Sequence, residues 1–372
     1  MYASNDKELN LLDKSSLEFA KKELAPGREE NDHFPFGPFF GHVVDKAFEL
    51  DFFHIFLPED LGGVGHGIRA LCIVLNNICR KDSSLGGIMF TNAFAQSLML
   101  EAGATEVLKQ ISDKAGSAGE FLIACPVLSD PARSPMGLSA DRDGENYKLS
   151  GKINYVVLGG MAGHALLPAS MPGEEGYSWF LVDLSDPAVV KSDVVFSHGM
   201  HACPAVDIEL KGVLADLVGS AGEGNLYFRK AASVMQVAAA AMAAGVMKGS
   251  LEEALGYCRQ RRQGGRMIKD WSEQQMLLSN MAVQTEVAQM LVSRACMAIA
   301  AKDKDWETRA GAAALHVVSS AADVVSDGIQ SMGGVGYMKD FGQEKRFRDT
   351  GHIQALLGFL PLKKLDFIRK LL

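Results

Sequence analysis

Apolar residues recur at three- and four-residue spacing through LLDKSSLEFAKKEL, GHVVDKAFELDFF, IRALCIVLNNICRK and TNAFAQSLMLEAG. That spacing lays one stripe along a helix, so residues 1–120 read as an N-terminal helical domain, with turns such as Gly62-Gly63-Val64-Gly65 between its helices. Near residue 121 the period changes. FLIACPV, NYKLSG, YVVLGG, HALLPAS, SWFLVDL and AVDIELKGVL are short alternating or wholly apolar runs divided by Gly, Pro, Asp and Ser, the pattern of strands. Residues 121–220 are therefore expected to form a central β domain, a barrel or a sandwich. Over residues 221–372 helical spacing returns in three long Ala- and Met-rich segments, which predict an antiparallel, four-helix-type bundle. Small residues on such helices permit close packing within the bundle and between subunits. The fold class is α+β and multidomain, in the order helical, β, helical.

Composition narrows the function. A chain of 372 residues exceeds one ordinary core, and 48% apolar with 22% charged residues is the balance of a soluble globular protein. The net charge of −8 argues against nucleic acid or an anionic membrane as a partner, because those surfaces select basic stripes. A small molecule or another protein is expected instead. The N-terminal MYASNDKELNLLDKSS lacks a basic segment followed by an apolar one, and no run of about 18 apolar residues occurs, so the expectation is a cytoplasmic chain that does not span a membrane. The six cysteines are scattered without a CxxC pair and read as buried reduced thiols, with neither a disulfide frame nor a metal site.

Three phrases then stand out by their order: LPEDLGGVG at 57–65, YCRQRRQGGRMI at 257–268 and QSMGGVGYMKDFGQEKRFRD at 330–349. Together they resemble the flavin-dependent acyl-CoA dehydrogenase family over nearly the whole chain. They look like its Pro-Glu-x-x-Gly-Gly turn, its Arg-x-Gln-Phe-Gly helix segment and its Gln-x-x-Gly-Gly-x-Gly-Tyr signature leading to Arg-Asp. The resemblance implies FAD as cofactor and a reaction in which a carboxylate removes the proton alpha to a thioester while the flavin takes the beta hydrogen as hydride.

The residues that should supply this chemistry are replaced. The family's Gln-x-x-Glu-Gly-Thr falls on Gln354, Ala355, Leu356, Leu357, Gly358 and Phe359, so leucine stands at the base position. The alternative position used by some relatives, on the first bundle helix, is Met235; the substrate-contacting arginine and a nearby aspartate fall on Gln236 and Ser233. In the β domain, Thr-Glu-Pro-x-x-Gly-Ser-Asp corresponds to ACPVLSD, which keeps Pro126, Ser129 and Asp130 but puts Ala124 and Cys125 in place of Thr-Glu. The ring-packing Trp-Ile-Thr corresponds to Tyr155-Val156-Val157, where Tyr155 retains an aromatic face. By contrast Arg261, Gln263, Gln330, Gly333 and Gly334 match positions that contact the adenine and pyrophosphate end of an FAD held by the neighbouring subunit, although Gly264 replaces the phenylalanine.

The resemblance thus implies a non-catalytic subunit of an FAD-dependent acyl-CoA dehydrogenase, of fatty or aromatic acid degradation, paired with a catalytic subunit and with electron-transfer flavoprotein as candidate acceptor. The alternative is an active homo-oligomer, dimer or tetramer: a dehydrogenase with a relocated base or a flavin monooxygenase of the same fold. His198, His201 and His352 are the candidate bases, against the ordinary reading of a lone histidine as structural. Cys125 is a candidate thiol, against the ordinary reading of an apolar-flanked cysteine as inert. A flavin-free scaffold leaves Gln330 and Arg261 unexplained.

Overall fold

A computed structural model describes residues 6–33, 41–144 and 146–372. The N-terminal part contains α1 (Lys7–Phe19), α2 (Gly41–Glu49), α3 (Gly67–Cys79), α4 (Ser83–Glu101), α5 (Thr105–Lys114) and the one-turn α6 (Ala118–Phe121). Side-chain caps set the starts of α1, α4 and α6: the Asp6 carboxylate accepts from the amides of Glu8 and Leu9, Asp82 from Ser84, and Ser117 from Glu120. Helix α4 is apolar around its circumference and buried from Ser83 to Met99, which makes it the central core helix of this part.

The β domain is one seven-stranded sheet of β1 (Ile123–Ala124), β2 (Leu138–Asp143), β3 (Asn146–Val157), β4 (His164–Ala169), β5 (Ser178–Asp183), β6 (Val189–Lys191) and β7 (Ala205–Val218). The strand order is β1-β4-β5-β7-β3-β2 with β6 added on β7, antiparallel except for β1 beside β4. A bridge between Ser139 and Ser170 joins β2 to the end of β4; the Ala140 amide donates to the Ser170 carbonyl at 2.9 Å and the Ser170 amide to the Leu138 carbonyl at 3.0 Å. This returns the sheet on itself as the expected barrel and leaves little open edge.

The C-terminal part holds α7 (Gly224–Gln260), a small hairpin of β8 (Arg262–Gln263) and β9 (Arg266–Met267), α8 (Ser272–Ala300), α9 (Trp306–Met332), α10 (Gln343–Ala355) and α11 (Leu360–Arg369). The fold is the predicted one, helical, barrel, bundle. One local difference concerns YCRQRRQGGRMI, expected as a helix segment: the helix ends at Gln260, and Gly264-Gly265, both left-handed at φ 61° and 83°, turn the chain into the hairpin. Helix α7 is long and apolar enough to cross a membrane by length and composition, but 72% of its most apolar window is buried inside the protein. All six cysteines are free and buried.

Helix α7 reaches the N-terminal core through small residues. A Cβ at Gly245 would lie 2.3 Å from the Asn76 carbonyl oxygen of α3, while the Asn76 amide group donates to the Ala241 carbonyl at 3.2 Å. The clash is with backbone, which cannot swing away. Gly245→Ala is therefore expected to lower unfolding stability by about 1–3 kcal/mol, read from the urea midpoint at constant m-value; an unchanged midpoint would show that the two helices separate freely at this crossing.

Candidate functional site

The residues that the sequence places around a base and a flavin ring meet where the end of α10 faces the barrel. Past Ala355 the chain leaves the helix: Leu357 is left-handed at φ 61° and Gly358 at φ 103°. This bend turns the Leu357 amide onto the Val127 carbonyl at 2.6 Å and leaves the Leu357 side chain only 6% exposed. The Lys363 ammonium closes the helix end from behind, donating to the carbonyls of Leu356 at 2.8 Å and Gln354 at 3.2 Å. Burial pulls this lysine down to about 8. Met235 on α7 is fully buried, and the Gln236 amide group is turned back onto the Ser233 carbonyl at 3.0 Å. Neither base position offers a proton acceptor.

The barrel wall opposite is equally apolar. Ala124 and Cys125 are fully buried, Val157 nearly so, and the Cys125 amide donates to the Val157 carbonyl at 3.1 Å. Burial pushes the Cys125 thiol far up, so it stays protonated and inert. Tyr155 sits in a register shift between Ile153 and Val156, with φ 58° and its amide held by the Asp207 carboxylate at 2.9 Å. Its ring lies 6.2 Å, centroid to centroid, from that of His352, and burial raises its phenol to about 12 against the lowering effect of Ser197. Ser129 is half-buried; Asp130 caps the Ala132 amide and pairs with Arg133, which continues to Asp366 of α11 at 2.6 Å.

Two of the three candidate histidines, His201 and His352, are buried. His201 directs Nδ1 at the Asp32 carboxylate (3.0 Å) and carbonyl (2.9 Å) and Nε2 at the Ser197 carbonyl (2.9 Å), an arrangement that a doubly protonated ring satisfies. Burial alone would lower this imidazole; the Asp32 hydrogen bonds outweigh burial and the opposing Arg348 charge and hold it above its ordinary value. Burial lowers His352, whereas His198 is exposed. Arg348 binds the carboxylates of Asp32 and Glu344, and Asp349 accepts from the Lys345 ammonium and the Met200 amide. The Arg-Asp pair is thus a fastener between N-terminal segment, barrel and bundle. Sequence reading missed Asp32 and Lys345; the i,i+4 spacing of Lys345 and Asp349 was the one local signal available.

The second group of site residues lies apart from this junction. Gly328 packs against Ser250, so α7 and α9 reach the same end of the bundle, where Arg261, Gln263, Gln330, Gly333 and Gly334 are all exposed. No side-chain partner holds Arg261 or Gln330 among the described residues. Gly333 is left-handed at φ 64°, and a Cβ on it or on Gly334 would meet nothing within 4 Å, so the space above both is open. Tyr337, Met338 and Phe341 are exposed beside them.

Comparison with known proteins identifies the family. The family described as "Acyl-CoA dehydrogenase, N-terminal domain" matches residues 6–115, and "Acyl-CoA dehydrogenase, C-terminal domain" matches residues 222–358. A cyclohex-1-ene-1-carbonyl-CoA dehydrogenase of Syntrophus aciditrophicus is 26% identical across 98% of this chain and 90% of its own length. A subunit of a caffeyl-CoA reductase–Etf complex of Acetobacterium woodii is 26% identical across 94% and 93%. Among solved structures, butyryl-CoA dehydrogenase of Megasphaera elsdenii shares the fold at TM-score 0.88, with 19% identity and full coverage of both chains.

The His201–Asp32 pair carries a pH dependence of known sign. An imidazole raised in the folded state contributes stability that is fully present below its unfolded value of 6.5 and is lost as pH rises through the higher folded value. Unfolding free energy measured from about pH 6 to about pH 9 is expected to fall more steeply for the native chain than for His201→Gln; parallel curves would remove the charged form of His201 from the clasp.

Proposed function

The chain belongs to the acyl-CoA dehydrogenase family, and from that premise we propose that it is a non-catalytic subunit of an FAD-dependent oxidoreductase acting on acyl thioesters. Its own contribution is the exposed face of Arg261, Gln263, Gln330, Gly333 and Gly334, presented to the adenine and pyrophosphate end of a flavin held by a catalytic subunit. FAD bound there supplies the hydride acceptor for the β carbon of the thioester. The observation that carries the reading is Leu357: the base position is a buried leucine whose amide is already bonded to Val127. A thioester held there would meet no group able to take its alpha proton.

The exposed face suits the group assigned to it. Arg261 is free to make charge-assisted bonds to a phosphate, and the open backbone of Gly333-Gly334 allows an approach that a side chain would block. A relative named for an Etf complex supports electron-transfer flavoprotein as the acceptor of the assembled enzyme. The six reduced thiols support a cytoplasmic setting.

Alanine at Arg261 or Gln330 is expected to weaken FAD retention by the assembled oligomer. A lost hydrogen bond to a charged group is worth about 1.5–3 kcal/mol, one to two decades in affinity. The flavin content of the assembly after dialysis under limiting FAD is the measurement, and equal content in both variants would remove the case for these residues.

Leu357→Glu is expected to restore no acyl-CoA-dependent bleaching of added FAD. A positioned base is ordinarily worth about a hundredfold to ten-thousandfold, yet Gln236, Ala124, Cys125 and Val157 leave a thioester unheld, and an unpaired carboxylate among buried apolar groups remains protonated. Clear bleaching with short, branched or aromatic acyl groups would mean that the rest of the site is intact and that catalysis was lost at one residue.

A further inference from the structure

The residues corresponding to the ring site line a joint between barrel and bundle. We propose that this joint is closed by the chain's own contacts, so that this subunit seats no flavin ring and an assembly containing it carries fewer flavins than polypeptides. The inference rests on the reading of the chain as a non-catalytic subunit and extends it to cofactor stoichiometry.

Three contacts join barrel to bundle at and around this joint. The Leu357 amide and Val127 carbonyl, 2.6 Å apart, join the base position of the bundle directly to the strand-end loop of the barrel. The rings of Tyr155 and His352, 6.2 Å between centroids, are at the separation of a directly packed pair, with no room for a third aromatic layer between them. At the rim, Arg133 bonds Asp366 at 2.6 Å and so ties the loop after Asp130 to α11. The walls these contacts join are shut: Ala124, Cys125, Met235 and Leu158 have no exposed surface, and Val157 and Leu357 keep 3% and 6%.

Tyr155 is the element that fills the seat. The register shift between Ile153 and Val156 and the left-handed φ of 58° take it out of the strand's alternation, and Asp207 holds its amide in that bend. A β-branched or bulky residue in this conformation costs free energy, so the surrounding contacts must fix it. The same strand position that keeps an aromatic face for a flavin is here turned against the bundle's own histidine.

The test uses the full chain and FAD itself. The isolated chain, its fold verified by circular dichroism, is titrated with FAD while flavin fluorescence is followed; no saturable quenching is expected. Its assembly with the catalytic subunit is then denatured and the released flavin counted against polypeptide, with one FAD per two chains expected. One FAD per chain in either arm overturns the closed seat. The underlying reading stands or falls separately: in the same assembly, Arg261→Ala lowers flavin content only if this chain reaches a neighbour's cofactor, whatever the stoichiometry proves to be.

Discussion

Three charged side chains that have almost no contact with water hold the domains together. Lys345 is 4% exposed, Asp349 2% and Asp82 fully buried; the ammonium lies 2.8 Å from Asp349 and 3.5 Å from Asp82. Burial opposes the charge on Lys345, and the two carboxylates more than compensate, so it remains an ammonium. An isolated charge in such a place is prohibitive, and removing one member of a buried pair costs about 3–5 kcal/mol because the other is left unpaired. The cluster therefore keeps its partners only when its three parents are in place: Asp82 caps α4 of the helical domain, Lys345 and Asp349 lie on α10, and Asp349 also accepts the Met200 amide of the barrel.

Everything at the junction follows from where that cluster puts α10. Met200 adopts a left-handed φ of 51° to present its amide, and the preceding Gly199 lies so close that a Cβ would be 2.6 Å from the Arg348 carbonyl. One residue earlier on α10, the Glu344–Arg348 pair repeats the spacing, with Arg348 also on Asp32, and His201 completes it from the barrel side. Leu357 follows the end of that helix, eight residues beyond Asp349. Its meeting with Val127 is thus imposed by ion pairs that lie deeper than the joint itself. Parting barrel from bundle to admit another layer means breaking the Met200–Asp349 hydrogen bond and the His201–Asp32–Arg348 chain in a medium of low polarity, where their attraction is strongest.

The architecture was legible because each domain has its own period: three-to-four spacing before residue 121 and after 220, and alternation between. The hairpin after Gln260 was hidden because Arg262-Gln263 and Arg266-Met267 are too short to show alternation, and only the paired glycines mark the turn. Of the candidate site, a leucine at the position that the resemblance gives to a carboxylate was visible directly, since side-chain chemistry is written in the residue type. Its consequence was not: the left-handed bend and the amide bond to Val127 belong to a position where leucine, unlike glycine, gives no local sign of positive φ. Asp32 and His201 are 169 residues apart, and long-range pairing of that kind leaves no periodic trace. Arg261 and Gln330 were singled out by pattern; the fold puts Arg261 at the C-terminal end of α7 and Gln330 in the last turn of α9.

The surface of the bundle shows that this chain is not finished as a monomer. Along α8, Met276, Val283, Met290 and Met297 recur every seven residues and are 69%, 57%, 56% and 43% exposed. A heptad repeat keeps one seam on one side of a helix, the pattern that a second helix covers. On α11, Leu362, Leu365 and Ile368 point outward while Phe367 is seated against Gly311. Apolar seams of this extent are unfavourable in water and mark surfaces meant for another protein. The exposed Arg261 and Gln330 belong to the same domain, so the assembly that hides the seams also determines what those two residues reach. The exposed seams and the exposed Arg261 and Gln330 thus lie on one domain, the bundle, while the barrel is fastened to α10 through Met200 and Asp349.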